Sequence, residues 1–526
     1  MTTISQSEET ISPSLEALAS KFARAVSYSA LAMIVGRLNG VVVSVLMARY
    51  LGSSALGMYA ILQSTIVLYS TFVGFGLGLT GAKMTAQFYL NDPKKAGRIL
   101  SLLLIVLALS VPIVSGAYWW SLPLLARDIY GIPELLPLFQ YALLWLVAIS
   151  ISQFLESILA GLQAFKSLMI ISFVCSSLAL PLTLAALVLD TSNPLPNLVI
   201  AGTVVAITQL FVLLRATRLE LKKHGLVLSC NQLRPLIRLI LFDFTAPAFL
   251  GKLMEQPVSW LSVLLLVKLG GSLSVVGGLS VIHNLRTYGL YFSTMFVGVL
   301  VPLLSDIYGT HSIETFRRTL TLNRRFLWLT TFPALLLLMT TVRPVLTWLF
   351  GSSFSSYWQA GAFLLSWAIL IPINEVNDRA IIAMGKMWIS LIFRFFFTIF
   401  FLAGLWFLIP AYQLTGYVIA GGIAYSLYVA TQTRWLRSVT HERSGVTLMP
   451  LWFSIVCVAV AYSIAQIDGL EEIILYGFLL FICAVWVEWR WIVSQEEKLL
   501  VSKLIKSYFT REETRKLTIK SIRKNH

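Results

Sequence analysis

Charged residues are scarce in this sequence of 526 residues, and their scarcity excludes an ordinary water-soluble protein. Only 12% of the residues are Asp, Glu, Lys or Arg, whereas a soluble domain carries about 25%. Hydrophobic residues make up 57% of the chain, and the mean hydropathy is +0.81. A chain this apolar must bury its surface in lipid, and one spanning helix needs only roughly 20 apolar residues.

Cysteine and histidine are also few, with four and five copies. No two of the cysteines have the spacing of metal ligands, so we predict neither a disulfide framework nor a zinc site. The histidines are scattered, and the sequence has no phosphate-binding loop. These absences predict a protein without a bound metal ion or cofactor. The cysteines are Cys175, Cys230, Cys457 and Cys483.

Acidic residues are outnumbered by basic ones, 24 to 40, which gives a net charge of +16. Basic proteins often bind nucleic acid, but here the basic residues lie in short segments between apolar runs, and no soluble domain presents them. The preference of Lys and Arg for the cytoplasmic side of membrane proteins explains the excess better. We therefore predict no nucleic-acid partner.

Fourteen apolar runs are long enough to span a membrane, and each should be helical because backbone that faces lipid must satisfy its own hydrogen bonds. The polar, acidic segment before the first run predicts a retained span rather than a cleaved secretory signal. Pro247 and Pro257 predict a kink in the seventh run. The runs are about 25–47, 54–79, 99–121, 137–160, 167–189, 196–215, 238–267, 273–303, 326–349, 358–383, 387–409, 412–433, 447–466 and 470–493.

The charges of the loops predict how these spans are oriented. With the N-terminus in the cytoplasm, 32 of the 40 Lys and Arg residues fall in segments on the cytoplasmic side. Only Arg49, Arg127, Lys268 and Arg343 fall in outward loops. This asymmetry predicts cytoplasmic N- and C-termini. It also supports the number of spans, because one span more or fewer would scramble the alternation.

Short sequence matches indicate an internal repeat of six helices. The matches occur in order along the chain, and the difference in residue number lies between 215 and 224 at each of them. An even number of helices gives both halves the same orientation, related by an axis along the membrane normal, with substrate bound between them. The matched pairs are residues 36–38 with 251–253, 49–52 with 268–270, 72–74 with 296–298, and Ile158 and Ala160 with Ile381 and Ala383.

The repeat divides the chain into five predicted segments. The basic, amphipathic tail is expected to rest on anionic lipid headgroups, with a fully solvated tail as the alternative. The predicted fold is all-α and integral to the membrane, with two parallel six-helix lobes around a central cavity and two extra helices. The segments are a cytoplasmic N-terminal segment 1–24, an N-lobe 25–216, a C-lobe 235–436, extra spans in 447–494 and a tail 495–526.

Ionisable residues inside the predicted spans are candidate functional positions, because a charge in hydrocarbon is costly. Arg37 and its neighbour Asn39 lie near the middle of span 1, Lys252 lies in span 7 and Arg286 in span 8. Arg37 and Lys252 are equivalent in the repeat. Two equivalent cations facing a central cleft suit an anionic ligand such as a pyrophosphate. We therefore predict these four residues as substrate-binding.

The alternative is that the charges inside the membrane pair with one another and hold helices together. Asp243, Glu255 and Glu375 are candidates for such ion pairs or for cation coupling, and Arg37 is a plausible partner of Asp243 or Glu255. A lone polar residue often only bonds across helices, and a long cation can reach the membrane interface. Residues for which these structural roles are expected are Glu156, His283 and Arg394.

Four short motifs resemble the polysaccharide transporter family, which includes the flippases of O-antigen and other lipid-linked oligosaccharides. They are residues 48–57, the Phe-Val-Gly-Phe-Gly-Leu-Gly run of 72–78, residues 161–166, and Pro302 at the end of span 8. The resemblance covers about residues 20–435. It implies a twelve-helix core, here extended to fourteen helices, with a cavity lined mainly by spans 1, 2, 7 and 8.

The resemblance also implies a function. The expected protein is a flippase in the inner (cytoplasmic) membrane that moves a polyprenyl-pyrophosphate oligosaccharide by alternating access, for lipopolysaccharide or another surface polysaccharide. Its expected partners are this substrate, membrane lipids and polysaccharide assembly proteins. The same superfamily contains cation-coupled multidrug exporters, and Asp243 and Glu255 would then be coupling residues.

A membrane-embedded polymerase, ligase or glycosyltransferase is a further alternative from a different class. Such an enzyme needs a water-accessible site, usually on a large external loop that carries Arg, His or Asp. The longest outward loop here, about 122–136, has only Arg127, Asp128 and Glu134 as charged residues. We therefore expect a transporter rather than an enzyme.

Overall fold

The structure, a computed structural model, describes residues 12–492 with several gaps, and side chains from residue 36 onward. Every regular element in this part of the chain is helical, which confirms the predicted all-α fold. The cysteine at 230 and the acidic residue Asp243 lie outside the described residues. The gaps are 90–91, 191, 230–236, 238–244, 298–303, 305–312 and 441–448.

Six helices cover the region of the first six predicted spans. The first of them contains spans 1 and 2 and bends at Gly52, whose φ of 68° is in the left-handed region that a residue without Cβ adopts at little cost. After α3 a π-helical turn, Leu124–Ile129, continues the third span. The helices are α1 (Ser12–Gly74), α2 (Leu77–Phe88), α3 (Pro93–Pro123), α4 (Leu135–Gly161), α5 (Phe165–Leu189) and α6 (Leu195–Lys223).

The remaining helices follow the predicted runs, with breaks at specific points. Span 7 is interrupted at Met254 and Glu255 between α7 and α8, and Pro257 lies in the first turn of α8; the predicted kink stays a prediction. A π-helical turn, Leu346–Phe350, and a short 3-10 helix, Ser352–Tyr357, follow α11. The helices are α7 (Ala246–Leu253), α8 (Gln256–Gly270), α9 (Leu273–Val297), α10 (Ile313–Thr340), α11 (Val342–Val345), α12 (Trp358–Trp367), α13 (Leu370–Ala383), α14 (Met387–Thr440), α15 (Met449–Ile464) and α16 (Leu470–Val487).

Nine helices in the described part of the chain are long and apolar enough to cross a membrane, or ten if the bent pair Ile313–Thr340 and Val342–Phe350 forms one span. Where the fourteen predicted runs are described they fall on helices, and α1 and α14 contain two runs each. Large apolar side chains project outward from several helices; Trp120 and Phe407 are 85% and 75% exposed. Lipid is the medium in which such exposure is favourable, so the chain is a multi-pass membrane protein.

Packing divides the chain into two compact units. In the first, Leu103, Leu159 and Leu213 are buried in one apolar cluster contributed by α1 to α6. Because lipid is as apolar as leucine, close side-chain fit rather than removal from water holds such helices together. The predicted boundaries of the N-lobe and C-lobe stay a prediction. The first unit is Met1–Tyr288, Arg343–Leu364 and Met387–Tyr428, and the second is Gly289–Val342, Leu365–Lys386 and Val429–His526.

Candidate functional site

A cavity of about 250 Å³ lies within the first unit, among α1, α8 and α9. These helices supply spans 2, 7 and 8, which are three of the four spans that the family resemblance assigns to the central cavity. Pockets for drug-sized ligands enclose roughly 300–1,000 Å³, so this one has room for a single ring system. Its lining residues are Ala60, Gln63, Ser64, Val67, Gln256, Ser259, Trp260, Val263, Val276, Leu279, Ser280, His283 and Asn284.

Seven of the thirteen described lining residues are polar and six are apolar, and none is Asp, Glu, Lys or Arg. Gln63, Gln256 and Asn284 each offer both donors and acceptors, and the hydroxyls of Ser259 and Ser280 can do either. The Ser64 hydroxyl donates to the Ile61 carbonyl at 2.8 Å and can still accept. Trp260 donates its Nε1–H to Thr65 Oγ1 at 3.3 Å, so its polar edge is already bonded to the protein. What Trp260 offers to a ligand is therefore the apolar surface of its ring.

The lining residues of α1 and α9 correspond in the predicted repeat. Their residue numbers differ by 220, an offset between the 218 of the match at residues 49–52 and the 224 of the match at residues 72–74. The two helices thus present equivalent positions to the cavity but different side chains. The equivalent pairs are Ala60 with Ser280, Gln63 with His283, and Ser64 with Asn284.

The predicted cations Arg37, Lys252 and Arg286 do not line this cavity, and neither does Asn39. Arg37 and Asn39 are half-buried on the first part of α1. Arg286 follows the lining residue Asn284 on α9 but faces α14, where its electrostatic neighbours are the hydroxyl groups of two tyrosines. Its Nε has no hydrogen-bond partner in the described part of the chain. The tyrosines are Tyr417 and Tyr425.

Lys252 belongs to an ionic cluster just before the first lining residue of α8. Its Nζ lies 3.6 Å from Glu255 Oε2, and Arg394 Nη1 of α14 donates to the same oxygen at 3.4 Å. Glu255 is thus bonded to Lys252 and Arg394 rather than to Arg37. Two cations share one carboxylate, and all three side chains are partly exposed, so the cluster keeps a positive charge that a ligand can reach.

Two hydrogen bonds between a glutamine and a carboxylate occur at corresponding places in the two halves of the predicted repeat. In the first unit Gln209 Nε2 donates to Glu156 Oε1 at 2.6 Å. In the second unit Gln432 Nε2 donates to Asp378 Oδ1 at 3.3 Å. The residue numbers of the glutamines differ by 223 and those of the carboxylates by 222, as in the predicted repeat. Each bond joins the fourth and sixth helices of its half, so these carboxylates link helices.

The neighbouring predicted residue Glu375 lies on α13 in the second unit, half-buried. On the same helix, Asn377 Oδ1 accepts from Arg324 Nε and Nη2 of α10 at 2.9 and 2.6 Å. Asn377 is fully buried, and its amide donates to Thr433 at 3.1 Å. This part of α13 is therefore bonded to two other helices.

Sequence reasoning singled out His283, with an expected structural role, and missed the other uncharged residues of the cavity, because it searched the spans for charges. A signal was present in the spacing. On α1 the lining residues Ala60, Gln63, Ser64 and Val67 lie three or four positions apart, which places them on one helix face. A polar pair on one face of an otherwise apolar run indicates that the face does not meet lipid.

A cavity between helices that are equivalent in a predicted parallel repeat is typical of membrane transporters. Solved structures with this fold include a multidrug resistance MATE family transporter of the MOP superfamily in an inward-facing conformation (TM-score 0.65, 16% identity, 77% of this chain and 94% of that chain). An outward-facing MATE family transporter of the MOP superfamily gives a TM-score of 0.57 and 15% identity, over 79% of this chain and 95% of that chain. A MOP superfamily transporter from Pyrococcus furiosus gives a TM-score of 0.59 and 16% identity, over 79% of this chain and 95% of that chain.

These identities show a shared fold and no more. The family itself is shown by sequence: the chain belongs to the polysaccharide biosynthesis protein family, whose sequence model matches residues 22–308. A comparison with curated protein sequences finds no significant match. The fold and the family therefore agree on a membrane protein of polysaccharide biosynthesis with the architecture of MOP superfamily transporters.

Proposed function

We propose that this protein moves a lipid-linked saccharide across the cytoplasmic membrane by alternating access. The observation that carries the proposal is the uncharged, hydrogen-bonding lining of the cavity beside the Trp260 ring. A sugar ring has hydroxyl groups around its rim and apolar C–H faces. Amide and hydroxyl side chains can donate to or accept from the rim, while an aromatic ring packs against a face. The volume suits one sugar residue, so the cavity is a subsite for part of a longer saccharide.

The anionic linker of such a substrate is assigned to the cations beside the cavity. In the predicted orientation α8 runs outward from Gln256, so Lys252, Glu255 and Arg394 lie on the cytoplasmic side of the cavity. Arginine binds phosphate oxygens in pairs and lysine binds them as a point charge. A pyrophosphate would replace the carboxylate of Glu255 between the two cations. Arg37, Asn39 and Arg286 stay proposed as further contacts to the substrate.

The competing function within the superfamily is cation-coupled multidrug export. The described lining favours a saccharide, because an exporter of lipophilic cations gains from a carboxylate, whereas this lining has none and adds amides and hydroxyls to its apolar residues. Glu255, the nearest carboxylate along the chain, is shared by two cations. A lipophilic cation would leave the amides and hydroxyl of Gln63, Ser64 and Asn284 without hydrogen bonds to the ligand.

The proposal is tested with purified protein in vesicles that contain a labelled polyprenyl-pyrophosphate saccharide. The measurement is the fraction of label that a membrane-impermeant glycosidase can reach over time. We expect protein-dependent movement that Trp260→Ala slows about tenfold, because a lost ring contact of about 1.4 kcal/mol corresponds to that factor.

The matched control is Trp406→Ala, which removes a tryptophan that is 59% exposed on α14. This variant should move the saccharide at the rate of the unmodified protein. Equal slowing in both variants would show that the effect is not one of the cavity. Vesicles that move a lipophilic dye but no saccharide would overturn the proposal in favour of multidrug export.

A further inference from the structure

Two glycines bring the backbones of α1 and α9 into direct contact. A Cβ at Gly57 would overlap the carbonyl oxygen of Leu273 and lie 3.0 Å from its carbonyl carbon. A Cβ at Gly277 would overlap the carbonyl oxygen of Ser53 and lie 2.8 Å from its carbonyl carbon. Only residues without a side chain permit this approach, which allows Cα–H···O contacts between the helices.

The two contacts are reciprocal. The residue numbers of Gly57 and Gly277 differ by 220, and so do those of Ser53 and Leu273, whose carbonyls they meet. Each half thus contributes the same glycine and the same carbonyl, as in an interface between two symmetry-related subunits. The offset equals that of the paired cavity residues. The four residues form what we call the glycine seam.

Two cations make a second reciprocal set of contacts at the same end of these helices. Arg49 of α1 donates its Nε to the Leu349 carbonyl at 2.8 Å and its Nη2 to the Trp348 carbonyl. Lys268 of α8 donates to the Asp128 carbonyl at 3.4 Å. Each cation therefore reaches from one half of the chain to the other. We call these contacts the two latches.

The acceptors of the latches are equivalent as well. The Asp128 carbonyl lies in the π-helical turn Leu124–Ile129, and the other two carbonyls lie in the π-helical turn Leu346–Phe350, which is its counterpart in the predicted repeat. Both turns end a span, where carbonyl groups lack partners within the helix and carry the negative end of the helix dipole. A cation from the opposite half satisfies them. In the sequence, Arg49 and Lys268 are two of only four cations in outward loops.

The seam and the latches lie at one end of the cavity. After its bend at Gly52, α1 passes Gly57 and then lines the cavity from Ala60 to Val67. From its start at Leu273, α9 passes Gly277 and then lines the cavity as far as Asn284. In the predicted orientation the seam and the latches therefore lie on the outer side of the cavity, and the lining residues lie deeper in the membrane.

We propose that the glycine seam and the two latches form the outer gate of this cavity, closed in the structure described. The proposal rests on the alternating access of the proposed function. Opening outward requires the halves to separate along a contact that both contribute equally, so both latches break together. Each contact is weak or exposed to water, and a gate must open within each transport cycle.

The test measures opening of the gate in the absence of any substrate. A single reporter, Ser280→Cys, is placed in the cavity of a chain whose four native cysteines are replaced by serine, and a membrane-impermeant maleimide is added from outside. Gly57→Val and Gly277→Val should each speed labelling about tenfold, because the added side chain wedges the seam open. Gly40→Val is the matched control, since a Cβ at Gly40 of α1 meets no atom within 4 Å.

The latches give an independent arm, should a glycine variant fail to accumulate in the membrane. Arg49→Ala should speed labelling more than Lys268→Ala, because Arg49 loses two hydrogen bonds and Lys268 loses one longer bond. Labelling that stays slow in folded glycine and latch variants would overturn the gate. Fast labelling in these variants supports the gate even when wild-type vesicles move no saccharide, an outcome that would sink the proposed function alone.

Discussion

The contacts of the proposed outer gate and the residues of the cavity follow the same predicted repeat but differ in how alike their two sides are. At the proposed gate both halves of the predicted repeat contribute a glycine, a carbonyl and a cation to reciprocal contacts. In the cavity the equivalent positions hold different side chains, such as Gln63 opposite His283. A gate closes by bringing two halves together and can be symmetric. A saccharide has no two-fold axis, so a lining that binds it in one orientation must differ between the halves.

Polar groups elsewhere in the chain also divide into those that occur in both halves of the predicted repeat and those that occur once. The bond of Gln209 to Glu156 and that of Gln432 to Asp378 are duplicates that join helices within each half. The cluster around Glu255 has no such duplicate among the described residues, since the position equivalent to Lys252 holds Arg37 but no carboxylate three positions further on. Duplicated groups thus serve the framework, and groups that occur once are placed where an asymmetric ligand is proposed to bind.

Exchanging equivalent residues across the cavity should have the largest effect. The double variant Gln63→His with His283→Gln keeps the composition of the lining but swaps its sides. Each swapped group faces the wrong part of the ligand, and unmade hydrogen bonds cost about 1–3 kcal/mol, so transport should fall roughly 10- to 100-fold. The measurement is saccharide movement in vesicles at equal protein content. Unchanged transport would show that the two sides of the cavity are interchangeable.

An intermediate effect is expected at the ionic cluster. Glu255→Gln removes the shared carboxylate and leaves Lys252 and Arg394 to the anionic linker, so the substrate binds more tightly and leaves more slowly. KM and kcat should both fall several-fold, and the drop in KM should shrink at high salt because the cluster is partly exposed. Loss of kcat with KM unchanged would instead identify Glu255 as a coupling residue.

Exchanging the two latches should have the smallest effect. In Arg49→Lys with Lys268→Arg, each cation still donates to main-chain carbonyls of the opposite half, which accept from either side chain. Transport and outside labelling of the cavity reporter should stay within about twofold of the parent, since the exchange moves one hydrogen bond from one latch to the other. A large loss would mean that the two latches are not equivalent. The proposed outer gate would then be asymmetric, as the cavity is.

The sequence predicted the secondary structure best where the lipid environment constrains the chain. Apolar runs of the length of a bilayer predicted the long helices, and Pro257 marked the division of span 7. Local breaks without such a mark were missed. One is the turn at Phe75 and Gly76 between α1 and α2, where both residues have positive φ. The bend at Gln413 inside α14, by contrast, lies beside the predicted boundary between spans 11 and 12.

The site was less predictable because its groups are distant in sequence. Charges inside spans were found easily, but Glu255 and its partner Arg394 on α14 belong to different spans, and no local pattern connects Glu255 with Arg394 rather than Arg37. The neutral lining carries no large desolvation cost and therefore little signal. The repeat was the one long-range signal available, and a single offset relates both the cavity pairs and the members of the seam.

The glycine seam has a consequence for the history of the chain. A contact in which each partner gives the same glycine and receives the same carbonyl is the form that a two-fold homodimer interface takes. A six-helix ancestor carrying one copy of residues 53–57 would have had both sides of that contact in a single sequence. Fusion of two such copies would have freed the cavity positions to differ, while the seam would have kept its glycines, because a side chain at either position would overlap the facing carbonyl.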